Sequence, residues 1–123
     1  MIVVLLTLAA GVVGALLRYG AAHVAGMTRA RLPWAVFTVN VVGSGVAGVV
    51  LGLVDAGAMG QDARLIVLSG LAGGLTTFST WSTETIQLVM TKRWRTALLN
   101  VVANLVIGIA AVVVAALLTS ALV

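Results

Sequence analysis

The sequence predicts an all-α membrane protein in which four helices cross the bilayer and the third is broken. Of its 123 residues, 62% are apolar and only 8% are charged, whereas soluble domains have roughly 45–50% apolar and about 25% charged residues. The mean hydropathy is +1.23. Lipid is therefore the expected solvent, and at about 20 residues for each span the chain accommodates four spans in a single domain, residues 1–123.

Long apolar stretches place the four spans at about residues 2–24, 33–54, 65–90 and 96–123. Pro33 stands at the first turn of the second span, where its missing N–H has no helical partner to lose. Small residues recur four apart, as in Gly48 and Gly52 or Ala10 and Gly14. This spacing lets helix backbones approach closely in lipid, so it predicts a compact bundle.

The third span is glycine-rich in its first half and polar in its second, at the depth of the membrane centre. The three glycines at positions 70, 73 and 74 each weaken a helix by roughly 1 kcal/mol relative to alanine. We therefore predict a break near residues 72–77 between half-helices at about 65–71 and 78–90, with Thr76 or Thr77 capping the second. Broken membrane helices commonly offer free carbonyl and amide groups to an ion.

Arg18 and Glu84 are the ionisable residues well inside the predicted spans, and an intramembrane charge indicates a functional site by default. Arg18 either extends to the basic loop beside it or supplies charge to a vestibule. Glu84 either neutralises Arg18 or faces a water-filled vestibule. His23 is expected at the membrane interface, without a role.

Asn40 in span two and Asn100 and Asn104 in span four are side-chain amides in apolar surroundings. They predict either hydrogen bonds between helices or a line of donors along a narrow polar pathway. The chain has no cysteine, and it shows no catalytic triad, carboxylate metal cage or phosphate loop, so we do not expect an enzyme. Without a contiguous basic face, nucleic-acid binding is not expected either.

Three motifs, one in each of the first three spans, resemble those of the Fluc (CrcB) fluoride channels: Gly11-x-x-Gly14-Ala15-x-x-Arg18-Tyr19, Asn40-x-x-Gly43-Ser44 and Gly70-x-x-Gly73-Gly74-x-Thr76-Thr77-Phe78-Ser79-Thr80-Trp81-Ser82-x-Glu84. The resemblance extends over the whole chain in length, span number and motif order. It implies a passive channel in a bacterial plasma membrane that exports cytoplasmic fluoride as an antiparallel dimer of four-span subunits.

The resemblance also assigns roles to residues. The carbonyls of Gly73 and Thr76 from both subunits are expected to hold a structural Na⁺ at the dimer interface, and Arg18 is expected to be a vestibule or structural charge. The expected fluoride pathway consists of Asn40, Phe78, Ser79, Thr80, Trp81, Glu84, Asn100 and Asn104. Such residues suit fluoride, because amides, hydroxyls and aromatic ring edges can replace the water that a small anion loses.

Some positions depart from the family pattern. Trp81 stands where a second phenylalanine is usual, and Ala35 and Val36 replace a usual Gly-Thr pair. Span four carries Asn100 and Asn104 where Tyr or Ser is common. These changes leave open a non-conducting structural subunit of a heterodimeric fluoride channel. A small multidrug antiporter is disfavoured, because span one has no carboxylate to exchange protons.

The loop charges predict the orientation of the chain in the membrane. The first and third connections carry five basic residues, whereas the N-terminus, the second loop and the C-terminus together carry Arg64 with Asp55 and Asp62. By the positive-inside rule, both termini lie outside and the two basic turns lie in the cytoplasm. A bias this strong favours a heterodimer with an oppositely oriented Fluc-type subunit, with a homodimer as the alternative.

Overall fold

The computed structural model describes residues 1–26 and 34–123, and every regular element in that part of the chain is helical. Helix α1 is Ile2–Gly26, α2 is Trp34–Asp55 and α4 is Trp94–Leu122. The third span, Gln61–Met90, divides into α3a, residues 61–75, and α3b, Ser79–Met90. Four segments are thus long and apolar enough to cross a membrane, which confirms the all-α four-span prediction. Pro33 lies outside the described residues.

The third span is broken later than the sequence predicts. Half-helix α3a begins with the α-helical turn Gln61–Arg64, continues as the π-helix Leu65–Ala72 and closes with the turn Gly73–Leu75. Helical structure therefore passes through all three glycines, and only residues 76–78 are non-helical. The predicted start of the break near residue 72 is wrong, because Gly70 and Gly74 pack against α1 within a continuous helix instead of interrupting it.

Helix α1 packs against α3a through backbone rather than side chains. A Cβ on Gly70 would lie 2.6 Å from the Thr7 carbonyl oxygen, and a Cβ on Gly74 would collide with the backbone of Gly11. On the facing helix, a Cβ on Gly14 would collide with the Leu71 carbonyl. Two backbones this close gain van der Waals contact that lipid cannot supply.

Helix α2 packs along α4 in the same manner, over a contact about as extensive as that between α1 and α3a. The two glycines of the GxxxG pair, Gly48 and Gly52, are buried against the α4 backbone at Val112 and Ala116. The buried side chains of the described chain are correspondingly small; they include Val36, Val39, Val50, Ala72, Leu75, Leu88 and Ala97. The large apolar side chains lie mostly on the outside, where lipid solvates them.

Two tight turns reverse the chain after α2 and after α3b. In each, the N–H two residues past the helix cap bonds a carbonyl five residues back: Ala58 N to Leu53 O and Arg93 N to Leu88 O, both 2.8 Å. The residue before each donor is left-handed, Gly57 with φ 70° and Lys92 with φ 59°. This is the Schellman termination, which satisfies helix-end carbonyls within few residues.

Replacing Gly48 by alanine should weaken the α2–α4 pair. The added methyl would collide with the Val112 carbonyl and lie 2.8 Å from the Ala115 Cβ, and such overpacking costs about 1–3 kcal/mol. Gly45→Ala is the matched control on the same helix, since no atom lies within 4 Å of its added Cβ. We expect thermal unfolding in detergent to show a lower midpoint for Gly48→Ala only. Equal midpoints for the two variants would contradict this packing.

Candidate ion pathway

The break in the third span is held open by hydrogen bonds from outside the helix. Thr76 is extended, with ψ 154°, and the Thr77 N–H donates to Asn40 Oδ1 at 2.9 Å. In a continuous helix that N–H would serve the Gly73 carbonyl, so Gly73 loses its usual partner. The Thr77 hydroxyl oxygen accepts from the Thr80 N–H at 3.2 Å. Phe78 stands at the N-cap position, and of the two predicted caps Thr77 is the one whose side chain bonds an N–H in the first turn of α3b.

Arg18 points at the break rather than at the membrane surface. Its Nη1 donates to the Thr76 carbonyl at 3.0 Å, although the two residues are far apart in sequence. A cation at this position complements the partial negative charge at the C-terminal end of α3a. Of the two alternatives for Arg18, the contact favours the internal charge over extension to the basic loop.

Glu84 lies on α3b beside a cavity of about 500 Å³ between α1, α2 and α3b, which Arg18, Tyr19, Thr77 and Thr80 also line. The Glu84 Oε2 atom is buried and has no hydrogen-bond partner among the described residues. Those residues show no ion pair between Glu84 and Arg18, although both line this cavity, which we call the vestibule.

His23 stands apart from the vestibule lining. It is exposed and stacks on Tyr19, with ring centroids 6.4 Å apart.

A second, shallower cavity of about 320 Å³, here called the groove, opens beside the break. Its lining consists of Asn40, Ser44, Thr76, Thr77, Phe78, Trp81, Asn104 and Leu105. Four residues that the sequence places on the pathway thus meet there, from α2, the third span and α4. Ser44 and Leu105 are not among the predicted pathway residues, although Ser44 follows Asn40 by one helical turn and so shares its face.

Phe78 and Trp81 form an aromatic pair at the edge of the groove. Their ring centroids are 5.4 Å apart with an interplanar angle of 62°, an edge-to-face arrangement typical of aromatic pairs. The Trp81 indole N–H donates to the Asn100 carbonyl at 3.4 Å, which fixes the ring against α4. Phe78 is 75% exposed, so it lies on the outer surface of the subunit.

The three predicted amides are joined in one hydrogen-bonded cluster. Asn40 Nδ2 donates to Asn104 Oδ1 at 3.2 Å and to the Thr77 carbonyl at 3.3 Å. Asn104 Nδ2 donates to the Asn100 carbonyl at 2.8 Å and to Asn100 Oδ1 at 3.0 Å. Asn100, 6% exposed, donates from Nδ2 to Thr85 Oγ1 at 2.9 Å. Of the two predicted roles for these amides, the contacts show the first: Asn40 and Asn100 each form hydrogen bonds to a neighbouring helix or to the break.

The two predicted pathway hydroxyls lie outside the groove lining. Ser79 and Thr80 are both exposed at the start of α3b, and Thr80 lines the vestibule. Each bonds the Thr77 hydroxyl at 3.3 Å. The structure therefore places six of the eight predicted pathway residues in the lining of the two cavities, whereas Ser79 and Asn100 line neither.

A broken membrane helix with amides and aromatic edges around an open groove is typical of membrane proteins that bind or conduct ions. The family model described as "CrcB-like protein, Camphor Resistance (CrcB)" matches residues 5–116. The chain therefore belongs to the CrcB family. It is a multi-pass membrane protein. Relatives in this family are named fluoride-specific ion channels, which is a non-enzymatic function.

Individual relatives match over most of their length. The chain is 40% identical to the "Fluoride-specific ion channel FluC" of Saccharophagus degradans, with 92% of this chain and 86% of that protein covered. It is 41% identical to a protein of the same name from Thermus thermophilus, with 85% and 84% covered. A "Fluoride-specific ion channel FluC 2" from Symbiobacterium thermophilum is 37% identical, with 85% and 86% covered.

Replacing Arg18 by glutamine should destabilise the break. The Thr76 carbonyl would lose a hydrogen bond from a charged donor, a bond worth about 1.5–3 kcal/mol. Arg64→Gln is the control, because the Arg64 guanidinium makes a solvent-exposed hydrogen bond to Gln61 Oε1, at 3.3 Å, and substitutions at such surface contacts stay within about 0.5 kcal/mol. Thermal unfolding in detergent measures both; comparable shifts would show that the Arg18 contact contributes little.

Proposed function

We propose that this chain is a subunit of a passive fluoride-selective channel that exports cytoplasmic fluoride across the plasma membrane. The groove beside the break carries the proposal. There the amide of Asn40 and the ring edges of Phe78 and Trp81 adjoin an open cavity of about 320 Å³. Fluoride needs closely spaced donors to replace its hydration shell, and ring edges carry partial positive charge.

The vestibule supplies the other end of the pathway. Arg18 contributes a fixed positive charge that attracts an anion, and its bond to the Thr76 carbonyl keeps that charge at the break. The hydroxyls of Ser79 and Thr80 continue from the vestibule along α3b. The proposed fluoride pathway comprises Asn40, Phe78, Ser79, Thr80, Trp81, Glu84, Asn100 and Asn104.

The surface around the break supports an antiparallel dimer. Gly73, Phe78, Ser79, Thr80 and Thr83 are all exposed at the middle of the third span. Exposed polar groups are costly in hydrocarbon, so this surface needs a protein partner rather than lipid. A second Fluc-type subunit in the inverted orientation would bring its own break against this one.

The carbonyls of Gly73 and Thr76 suit a structural Na⁺ at that interface. The Thr77 N–H, the usual helical partner of the Gly73 carbonyl, is diverted to Asn40, and Gly73 is exposed. The Thr76 carbonyl accepts one bond from Arg18 and keeps a second lone pair. Na⁺ held by neutral carbonyls would join the two breaks and add positive charge that favours anions.

Fluoride efflux from liposomes that contain only this chain tests the function. A fluoride electrode should record efflux driven by the fluoride gradient alone and unaffected by a proton gradient. Silence from a correctly inserted chain would favour the second candidate, a non-conducting subunit that needs a partner. The departures at Ala35, Val36 and Trp81 support that candidate.

Asn40→Asp should reduce fluoride efflux at least tenfold. The carboxylate still accepts the Thr77 N–H, so the break is retained, but a negative charge about 4 Å from the anion costs about 4 kcal/mol at an effective dielectric constant of 20. Asn40→Ser is the uncharged control and should retain more efflux than Asn40→Asp. Unchanged efflux in Asn40→Asp at neutral pH would place Asn40 off the pathway.

The positive-inside bias should give this chain a single orientation when it is expressed alone. The sequence has no cysteine, so Val123→Cys creates one label site at the C-terminus and Thr91→Cys creates one in a basic turn. An impermeant thiol reagent on intact cells should label Val123→Cys and spare Thr91→Cys, which favours a heterodimer. Comparable labelling of both variants would contradict the single orientation and restore the homodimer.

A further inference from the structure

The hydrogen bonds of the amide cluster run in one donor-to-acceptor direction, which the Thr77 backbone N–H sets. The Thr77 N–H can only donate, so the Asn40 atom that faces it at 2.9 Å must be the acceptor Oδ1. This sets the orientation of the Asn40 amide and turns Nδ2 toward Asn104. The Asn104 atom that receives it, at 3.2 Å, must then be Oδ1.

The chain of hydrogen bonds continues into α4 and back to α3b. With Oδ1 committed to Asn40, Asn104 presents Nδ2 to Asn100, whose carbonyl and Oδ1 accept its two hydrogens at 2.8 and 3.0 Å. Asn100 in turn donates to Thr85 Oγ1 at 2.9 Å, and Thr85 donates to the Trp81 carbonyl at 2.8 Å. Every bond in this chain points the same way.

Asn40 and Asn104 therefore differ in what they offer an anion in the groove. Both hydrogens of Asn104 are held at short distances by Asn100, so Asn104 has no donor to spare. The hydrogens of Asn40 are held at 3.2 and 3.3 Å, the longest contacts of the three amides. An anion makes shorter and stronger charge-assisted bonds, so it can take the Asn40 hydrogen from Asn104 Oδ1.

We infer that Asn104 is a positioning residue that competes with the anion for Asn40, rather than a fluoride donor itself. This inference rests on the proposed channel function. When an ion leaves, Asn104 Oδ1 takes up the Asn40 hydrogen, so the donor is never left unsatisfied in the membrane. The competition keeps binding weak enough for release, which conduction requires. Asn100 and Thr85 hold Asn104 in the orientation that makes it an acceptor.

Asn104→Leu removes the competing acceptor at nearly constant volume. A hydrogen bond of the usual net strength corresponds to about a threefold to tenfold change in affinity. The fluoride concentration that gives half-maximal efflux should therefore fall by about that factor, and maximal efflux should fall with it. A merely structural defect would lower maximal efflux without lowering the half-maximal concentration. Leu105→Ala, which alters the groove lining without touching the amide chain, is the control for cavity shape.

A double-mutant cycle separates the roles of the two residues. If Asn104 acts through Asn40, Asn104→Leu should leave the half-maximal concentration unchanged in an Asn40→Ser background, which lacks the amide hydrogens of Asn40. Should Asn104→Leu fail to assemble, Thr85→Val decides: it frees the Asn100 amide to turn, and should shift the half-maximal concentration in the same direction by a smaller factor.

The outcomes that overturn the inference are distinct from those that overturn the function. A conducting wild-type chain with an unchanged or raised half-maximal concentration in Asn104→Leu refutes the competition and leaves the channel function intact. The same holds for an unchanged value in Thr85→Val when Asn104→Leu does not assemble, or for additive effects in the double mutant. A silent wild-type chain overturns the channel function and this inference together.

Discussion

The hydrogen bond from the Thr77 N–H to Asn40 Oδ1, 2.9 Å long, is the contact on which the rest of the site depends. A helix broken inside lipid frees backbone groups that no water can satisfy. Asn40 takes the freed N–H, and Arg18 takes the Thr76 carbonyl. Because each partner comes from another helix, the break orders α1, α2 and α3b around itself, and the orientation of the amide cluster follows from the same bond.

The glycines of this protein make that arrangement reachable. Gly14, Gly70 and Gly74 bring the backbones of α1 and α3a into direct contact, which carries Arg18 to within hydrogen-bond reach of the break. Gly48 and Gly52 do the same for α2 and α4, and the close pair lets Asn40 meet Asn104. The hydrogen bonds at the break therefore depend on the close helix packing, since neither set of hydrogen bonds would form across larger side chains.

Charge is distributed unevenly between the two cavities. The vestibule contains Arg18 and a Glu84 oxygen without a partner among the described residues. The groove is lined by neutral amides, hydroxyls and aromatic rings. In the proposed channel, the charged vestibule would attract an ion and the neutral groove would bind it weakly, and conduction needs both properties. Fluoride is the proposed ion because relatives in the CrcB family are named fluoride-specific channels.

The sequence by itself determined the membrane environment, the four spans, the broken third helix and the identity of the polar residues. These follow from composition and from the cost of polar groups in lipid, which act on each residue locally. The tertiary structure decided where the break falls, because Gly70 and Gly74 pack against α1 instead of interrupting the helix. It also decided that Arg18 turns inward to Thr76 and that Asn40 donates to Asn104. Those outcomes depend on which backbone lies opposite each side chain, and no spacing within one helix encodes that.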